Sequence, residues 1–165
     1  TNSAPESVVR LLDMGMDPFN FADALLCILA QRLARRLCPL CRQAYAPAPT
    51  EIDELLKEYC SESALDVDQQ HAAWRKRYAG GKENIVLYRA SECEACGHTG
   101  YRGRVGLHEF LLADATVKRL IQTRAVVTEV KAAAVAGGMH TLKQNGNEKE
   151  LQGLTDMTQV RAVCG

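Results

Sequence analysis

The chain has 165 residues, enough for one sizeable core or two small domains, and its 47% apolar and 24% charged content is ordinary for a globular protein. Twenty basic residues balance twenty acidic ones, so no global field argues for a nucleic-acid or membrane-surface partner. The longest apolar run, residues 24–30, falls far short of the ~20 residues of a membrane span, and Thr1-Asn2-Ser3-Ala4-Pro5 has neither the basic nor the apolar region of a signal peptide.

Ser3-Ala4-Pro5-Glu6 reads as a capping box with proline in the first helical turn, and Gly15 is placed to stop that helix after Leu11, Leu12 and Met14. Asp17-Pro18 opens a second helix. Phe19, Ala22, Leu25, Leu26, Leu29, Leu33 and Leu37 follow at helical spacing, so the pattern predicts one long, largely buried helix over 18–37, ended by Cys38-Pro39. Within it Cys27 is expected to be plain core packing. Pro47 and Pro49 mark a linker. Thr50 then caps a short acidic helix through Leu55 and Leu56, and a polar helix runs from Asp66 to Tyr78, halted by Gly80-Gly81. Both have narrow apolar faces and read as an insert. The charge patterning, basic at Arg32, Arg35, Arg36 and Arg42 and acidic over 51–68, is that of two solvated faces.

Residues 84–90 read as a strand, and 104–112, with Val105, Leu107, Phe110 and Leu111, as another. From Asp114 onward the chain is helical: a helix bearing Val117, Leu120 and Ile121, one begun by Thr128-Glu129 and closed by Gly137-Gly138, one over 139–151, and a last short one after Thr155.

The chemistry lies in four of the seven cysteines. Cys38-Pro39-Leu40-Cys41 and Cys93-Glu94-Ala95-Cys96 each offer two thiolates from one turn, and together they complete the tetrahedral shell that structural zinc prefers. With no export signal in the sequence, thiolate chemistry in a reducing compartment is the expected use of these residues. Four thiolates leave no open position for water or substrate, so a structural metal is expected, its binding feeding into the folding of residues 38–104. His98 adjoins the second pair as a rival ligand, and Arg42, Arg102 and Arg104 are placed to offset the charge of a tetrathiolate. Cys27, Cys60 and Cys164 have no partner at ligand spacing. There is no Gly-x-x-x-x-Gly-Lys-Ser/Thr phosphate loop, no dinucleotide fingerprint and no His-Glu-x-x-His. His108-Glu109 reads as a satisfied polar pair rather than an acid–base couple. The residues by themselves describe a zinc-stapled, mostly helical α+β module without evident catalytic machinery.

Several segments in order resemble one family. Thr1-Asn2-Ser3-Ala4-Pro5 with Arg10-Leu11-Leu12-Asp13-Met14-Gly15 is similar to the stretch after the histidine box of the secretion and pilus-assembly ATPases, the hexameric motors of type II secretion and type IV pilus systems. Leu29-Ala30-Gln31-Arg32-Leu33-Ala34-Arg35-Arg36-Leu37 leading into Cys38 resembles the entry to that family's tetracysteine domain. Cys93-Glu94-Ala95-Cys96-Gly97-His98-Thr99-Gly100-Tyr101-Arg102-Gly103-Arg104-Val105-Gly106-Leu107-His108-Glu109 resembles its exit and return strand. Gly138-Met139-His140-Thr141-Leu142-Lys143 and Gly153-Leu154-Thr155 resemble its carboxy-terminal helices. The tetracysteine motif favours the secretion and pilus-extension branch over the retraction ATPases.

The resemblance implies a carboxy-terminal region of a larger motor in three parts. Residues 1–37 would be the last helices of a RecA-like α/β domain, 38–104 a zinc subdomain with a helical insert near 50–80, and 105–165 a return strand and helical bundle. It implies zinc on Cys38, Cys41, Cys93 and Cys96, and ATP with magnesium bound only by upstream parts of the parent. By itself the 165-residue chain is expected to be inactive, since nothing in it cradles a phosphoryl group. The implied partners are neighbouring subunits of a homohexamer and inner-membrane assembly-platform proteins, with the protein cytoplasmic and peripheral at a bacterial inner membrane. Two other classes stay open on residues alone: a chaperone-like zinc module that binds proteins, and a nucleic-acid zinc ribbon. The second expects a basic, aromatic-studded surface, against a neutral chain with 5% aromatics.

Overall fold

The computed structural model describes residues 3–79 and 84–164; Thr1, Asn2 and the Gly80-Gly81 stop lie outside them. The fold is α+β and about half helical. The chain divides into two units, residues 1–31 with 108–142 and residues 32–107 with 143–165.

The first unit begins with α1 (Ala4–Asp13), where the Ser3 hydroxyl accepts the Glu6 amide and Pro5 lies in the first turn, as the capping box predicts. Helix α2 (Pro18–Ala24) is capped by Asp17, whose Oδ1 accepts the Asn20 amide at 2.9 Å. It stops far earlier than expected. Leu25 is already extended (φ −71°, ψ 126°), and Cys27–Leu37 is strand β1, not the second half of a helix. The leucine spacing misleads because Leu29 and Leu33 are 59% and 49% exposed, while Ile28 and Ala30 turn inward with the period of two of a strand. Helix-favouring Ala, Leu and Arg are overridden by pairing with β4 (Tyr101–Leu112) in a two-stranded sheet. Cys27 is accordingly exposed, not core.

Helices α5 (Ala115–Gln122) and α6 (Val127–Ala136) complete this unit. The Asp114 carboxylate caps α5 on the Val117 amide at 2.8 Å. Apolar side chains of the four helices meet Leu111 of β4 in a single core with Val8, Leu12, Phe21, Val117, Ile121 and Val130. The buried Glu109 carboxylate accepts the backbone amides of Ala4 (2.7 Å) and Leu142 (3.3 Å), so it closes the open amino ends of α1 and α7 (Leu142–Leu151). Glu109 is thus a buried carboxyl with both oxygens engaged.

In the second unit β2 (Gln43–Tyr45) and β3 (Leu87–Arg89) form a short antiparallel ribbon in which Gln43 faces Arg89 and Tyr45 faces Leu87. Between them α3 (Pro49–Cys60) and α4 (Val67–Tyr78) pack together. The apolar face of α3 is broader than expected, whereas α4 buries one large side chain, Trp74. Ile52, Leu55, Leu56 and Tyr59 of α3 and Trp74 of α4 form a core with Ile85, Leu87 and Leu151, the Tyr59 and Trp74 rings meeting edge-to-face at 5.1 Å. Helices α7 and α8 (Met157–Cys164) close the unit. Gly146 in α7 has no room for a side chain: a Cβ there meets Val160 Cγ1 at 2.5 Å. The Thr155 hydroxyl donates to the Arg35 carbonyl at 2.9 Å, and the Leu37 amide donates to the Leu154 carbonyl at 2.9 Å.

Candidate metal centre

The β2–β3 ribbon explains how cysteines separated by residues 42–92 meet. Cys41 lies just before β2 and Cys93 just after β3, so pairing of the two strands brings the two turns to one end of the ribbon. Each turn is tightened by its own backbone. In the first, the Cys41 and Arg42 amides donate to the Cys38 carbonyl at 3.3 and 2.9 Å; in the second, Cys96 and His98 donate to the Cys93 carbonyl at 3.3 and 3.0 Å. The second turn leaves its short 3₁₀ segment, Glu94–Cys96, through left-handed Gly97. Gly100 then returns the chain with φ +76°, and a Cβ there meets Ala90 Cβ at 2.7 Å and the Ser91 carbonyl at 2.8 Å, so both its conformation and its contacts require glycine.

The four sulfurs converge. Cys38 Sγ lies 3.9 Å from Cys93 Sγ, Cys41 Sγ 3.9 Å from Cys96 Sγ, and Cys93 Sγ 3.6 Å from Cys96 Sγ. All four ligand atoms fall within 4.8 Å of one another. A tetrahedron with metal–sulfur bonds of about 2.3 Å has sulfur–sulfur edges of about 3.8 Å. The cluster has the dimensions to hold a metal such as zinc.

The thiols differ in acidity. Hydrogen bonding from the Leu40 backbone lowers Cys38. Burial pushes Cys96 up, but backbone hydrogen bonds within its turn, including the Gly100 amide at 3.3 Å, outweigh it and bring the thiol to about 6. Cys41 is pushed up to about 12, first by burial and then by the neighbouring sulfurs of Cys93, Cys38 and Cys96. Lowered values at Cys38 and Cys96 beside a raised one at Cys41 are the pattern of sulfurs that crowd one site. A divalent cation supplies a counter-charge and removes the conflict.

All four sequence-predicted ligands are brought together, and no other residue joins them among the described residues. His98 is exposed at a left-handed turn position (φ 58°) and is not one of the converging groups. Arg42 stacks over the Tyr88 ring at 4.7 Å and donates to the Gly153 carbonyl. The sequence reading missed the polar interior of α7, where Gln144, Asn147 and Glu150 are 1%, 0% and 3% exposed. Its only apolar ends are Leu142 and Leu151, so no apolar stripe marks a buried face. The one available signal was Gly146, a mid-helix glycine that permits close approach. Among the described residues no helix is long and apolar enough to cross a membrane.

Residues 1–162 match the family model described as type II/IV secretion system protein. The chain is 35% identical over 162 residues to the type IV pilus assembly ATPase PilB of Thermus thermophilus, covering 98% of the chain and 16% of that protein. It is 35% identical to the type II secretion system ATPase E of Vibrio cholerae and 37% identical to the type II secretion system protein E of Dickeya dadantii, covering 99% of the chain and 28% of each protein. The chain therefore spans between about a sixth and somewhat over a quarter of these relatives' lengths. On a match that runs almost from end to end, the chain belongs to the type II/IV secretion system protein family.

Proposed function

We propose that this region is the carboxy-terminal part of a hexameric motor ATPase that powers type II secretion or type IV pilus assembly, with zinc held by Cys38, Cys41, Cys93 and Cys96. The observation that carries the zinc assignment is the convergence of four sulfurs at tetrahedral spacing. Relatives named as ATPases of both systems support the motor. When bound, zinc supplies two positive charges and fixed ligand angles, and nothing more, because four thiolates close its shell. The chain's own residues do the rest. The Gly100 amide hydrogen-bonds Cys96, Gly97 and Gly100 shape the turn, and the β2–β3 ribbon aligns the two pairs.

In this reading residues 38–104 are the zinc subdomain and 105–165 the return strand and helical part. The strand pair β1–β4 belongs to the edge of a RecA-like sheet. Support for the sheet comes from alternation in the first unit. Ile28, Ala30 and Leu111 join the core, whereas Leu29, Phe110 and Leu112 are 59%, 51% and 60% exposed, an apolar outer side that a larger sheet domain would cover. The whole protein works in the cytoplasm at the inner membrane, in contact with neighbouring subunits and the assembly platform. The test is ATP hydrolysis by the whole protein and by the 165-residue chain alone. Turnover by the whole protein, lost or greatly slowed by Cys38→Ala, and none by the chain alone is expected. Hydrolysis by the isolated chain, or a whole protein indifferent to Cys38→Ala, contradicts the reading.

A further inference from the structure

The interior of α7 holds polar atoms that the fold does not satisfy. Glu150 is 3% exposed, yet its Oε1 accepts no hydrogen bond. Asn147, one turn earlier and fully buried, makes no well-formed hydrogen bond through either amide atom, though it lies close enough to Glu150 to act on its carboxyl, and Oε2 of Glu58 is also without a donor. Native proteins leave few such atoms, and several near one another call for a missing partner. Glu150 lines a recess of about 390 Å³ in the second unit, walled by Tyr45, Tyr88 and Tyr101.

The charges around the recess define what fits. Among the described residues, Glu51, Glu150 and Asp156 line it with one cation, Arg89, whose guanidinium is turned over the Tyr45 ring at 5.7 Å. Two of the three carboxylates are already engaged. Asp156 accepts the Gln159 amide and the Tyr101 hydroxyl, and Glu51 accepts the Tyr45 hydroxyl and the Ala48 amide. That leaves Glu150 with open acceptor capacity. No three carboxylates converge here as a metal ion requires; among the described residues only the cysteines do so. One open carboxylate, tyrosine walls, and Leu87 and Met157 at the rim suit a single organic cation carried on an alkyl stem.

We propose that this recess receives a lysine or arginine side chain of a partner polypeptide, its charge on Glu150 and its stem along Leu87 and Met157. None of the four clustered cysteines lines the recess. Burial first, and then the negative charges of Glu58 and Asp156, hold the Glu150 proton to about 8, with Arg161 and Asn147 opposing. Entry of a cation therefore releases that proton, and occupancy strengthens as pH rises towards 8.

The test is an NMR titration of the 165-residue chain with N-acetyl-argininamide, beside its neutral citrulline counterpart. The expected result is saturable shifts at the amides of Tyr88, Glu150 and Met157 with the arginine compound only, and binding weakened about tenfold or more by Glu150→Gln. Glu150→Gln keeps the side chain's shape, and the comparison of the two compounds on the unaltered chain needs no variant. Equal shifts with both compounds, no saturable shift with either, or an unchanged affinity in Glu150→Gln overturns the proposal.

Discussion

The two units of the chain are held by different physics. In the first, amphipathic helices and the inner side of two strands bury one apolar cluster, and the one carboxyl buried there among the described residues, Glu109, has both of its oxygens engaged by amides. In the second, an aromatic–aliphatic core around Trp74 stands beside buried polar groups on α7 and a set of four crowded thiols. Burying polar groups with incomplete hydrogen bonding costs stability. A unit built this way gains most from a cross-link, and a metal on the four thiols would supply one between residues far apart in sequence.

The largest effect separating the units should come from the ligands. Cys96→Ser is expected to abolish stoichiometric zinc binding and to remove a share of a binding energy on the order of 10 kcal/mol. In hydrogen exchange, residues 38–45 and 87–104 should lose protection while α1, α5 and α6 keep theirs. Uniform loss along the chain would erase the distinction between the units.

Core truncation should hit both units comparably. Trp74→Ala is expected to cost about 3–5 kcal/mol and Ile121→Ala about 2–5 kcal/mol in denaturant unfolding. A Trp74→Ala cost below about 1 kcal/mol would show that the metal, not the α3–α4 core, carries the second unit.

A pH titration of stability sharpens the contrast further. Glu150 holds its proton to about 8 in the fold against a usual carboxyl value of 4.5. The folded state then binds more protons than the unfolded one between those values. Its stabilising contribution is full below 4.5, falls as pH rises, and is gone above 8. Glu150→Gln should flatten that decline, an effect on the order of a few kcal/mol across the window. A decline of the same steepness in the variant assigns it to other groups.

The smallest expected effect is at Gly146. Alanine favours a helix, but its Cβ would meet Val160 Cγ1 at 2.5 Å, so Gly146→Ala should lose about 1–3 kcal/mol. A gain in melting temperature would mean that α8 is free to move away.

How far the sequence revealed this molecule follows the same division. The caps at Ser3, Asp17 and Asp114 and the grouping of Cys38, Cys41, Cys93 and Cys96 were legible, because each rests on local spacing and side-chain chemistry. The strand at Cys27–Leu37 was not, since Leu25, Leu29, Leu33 and Leu37 fit a helical stripe and only the pairing with β4 selects the extended form. The α3–α4 core was undervalued because α4 offers a single large buried residue, Trp74, whose weight lies in its size rather than in a stripe. The interior of α7 was hidden altogether, as its buried face is made of Gln144, Asn147 and Glu150.

The most direct test of the zinc staple is elemental analysis of the chain purified without chelator, with thermal melts before and after a strong zinc chelator. The account predicts about one zinc per chain, on the four thiolates, and a melt of the second unit that collapses on chelation. A metal-free chain whose melt is unchanged by chelator would contradict it, and would mean that apolar packing alone holds the two cysteine turns together.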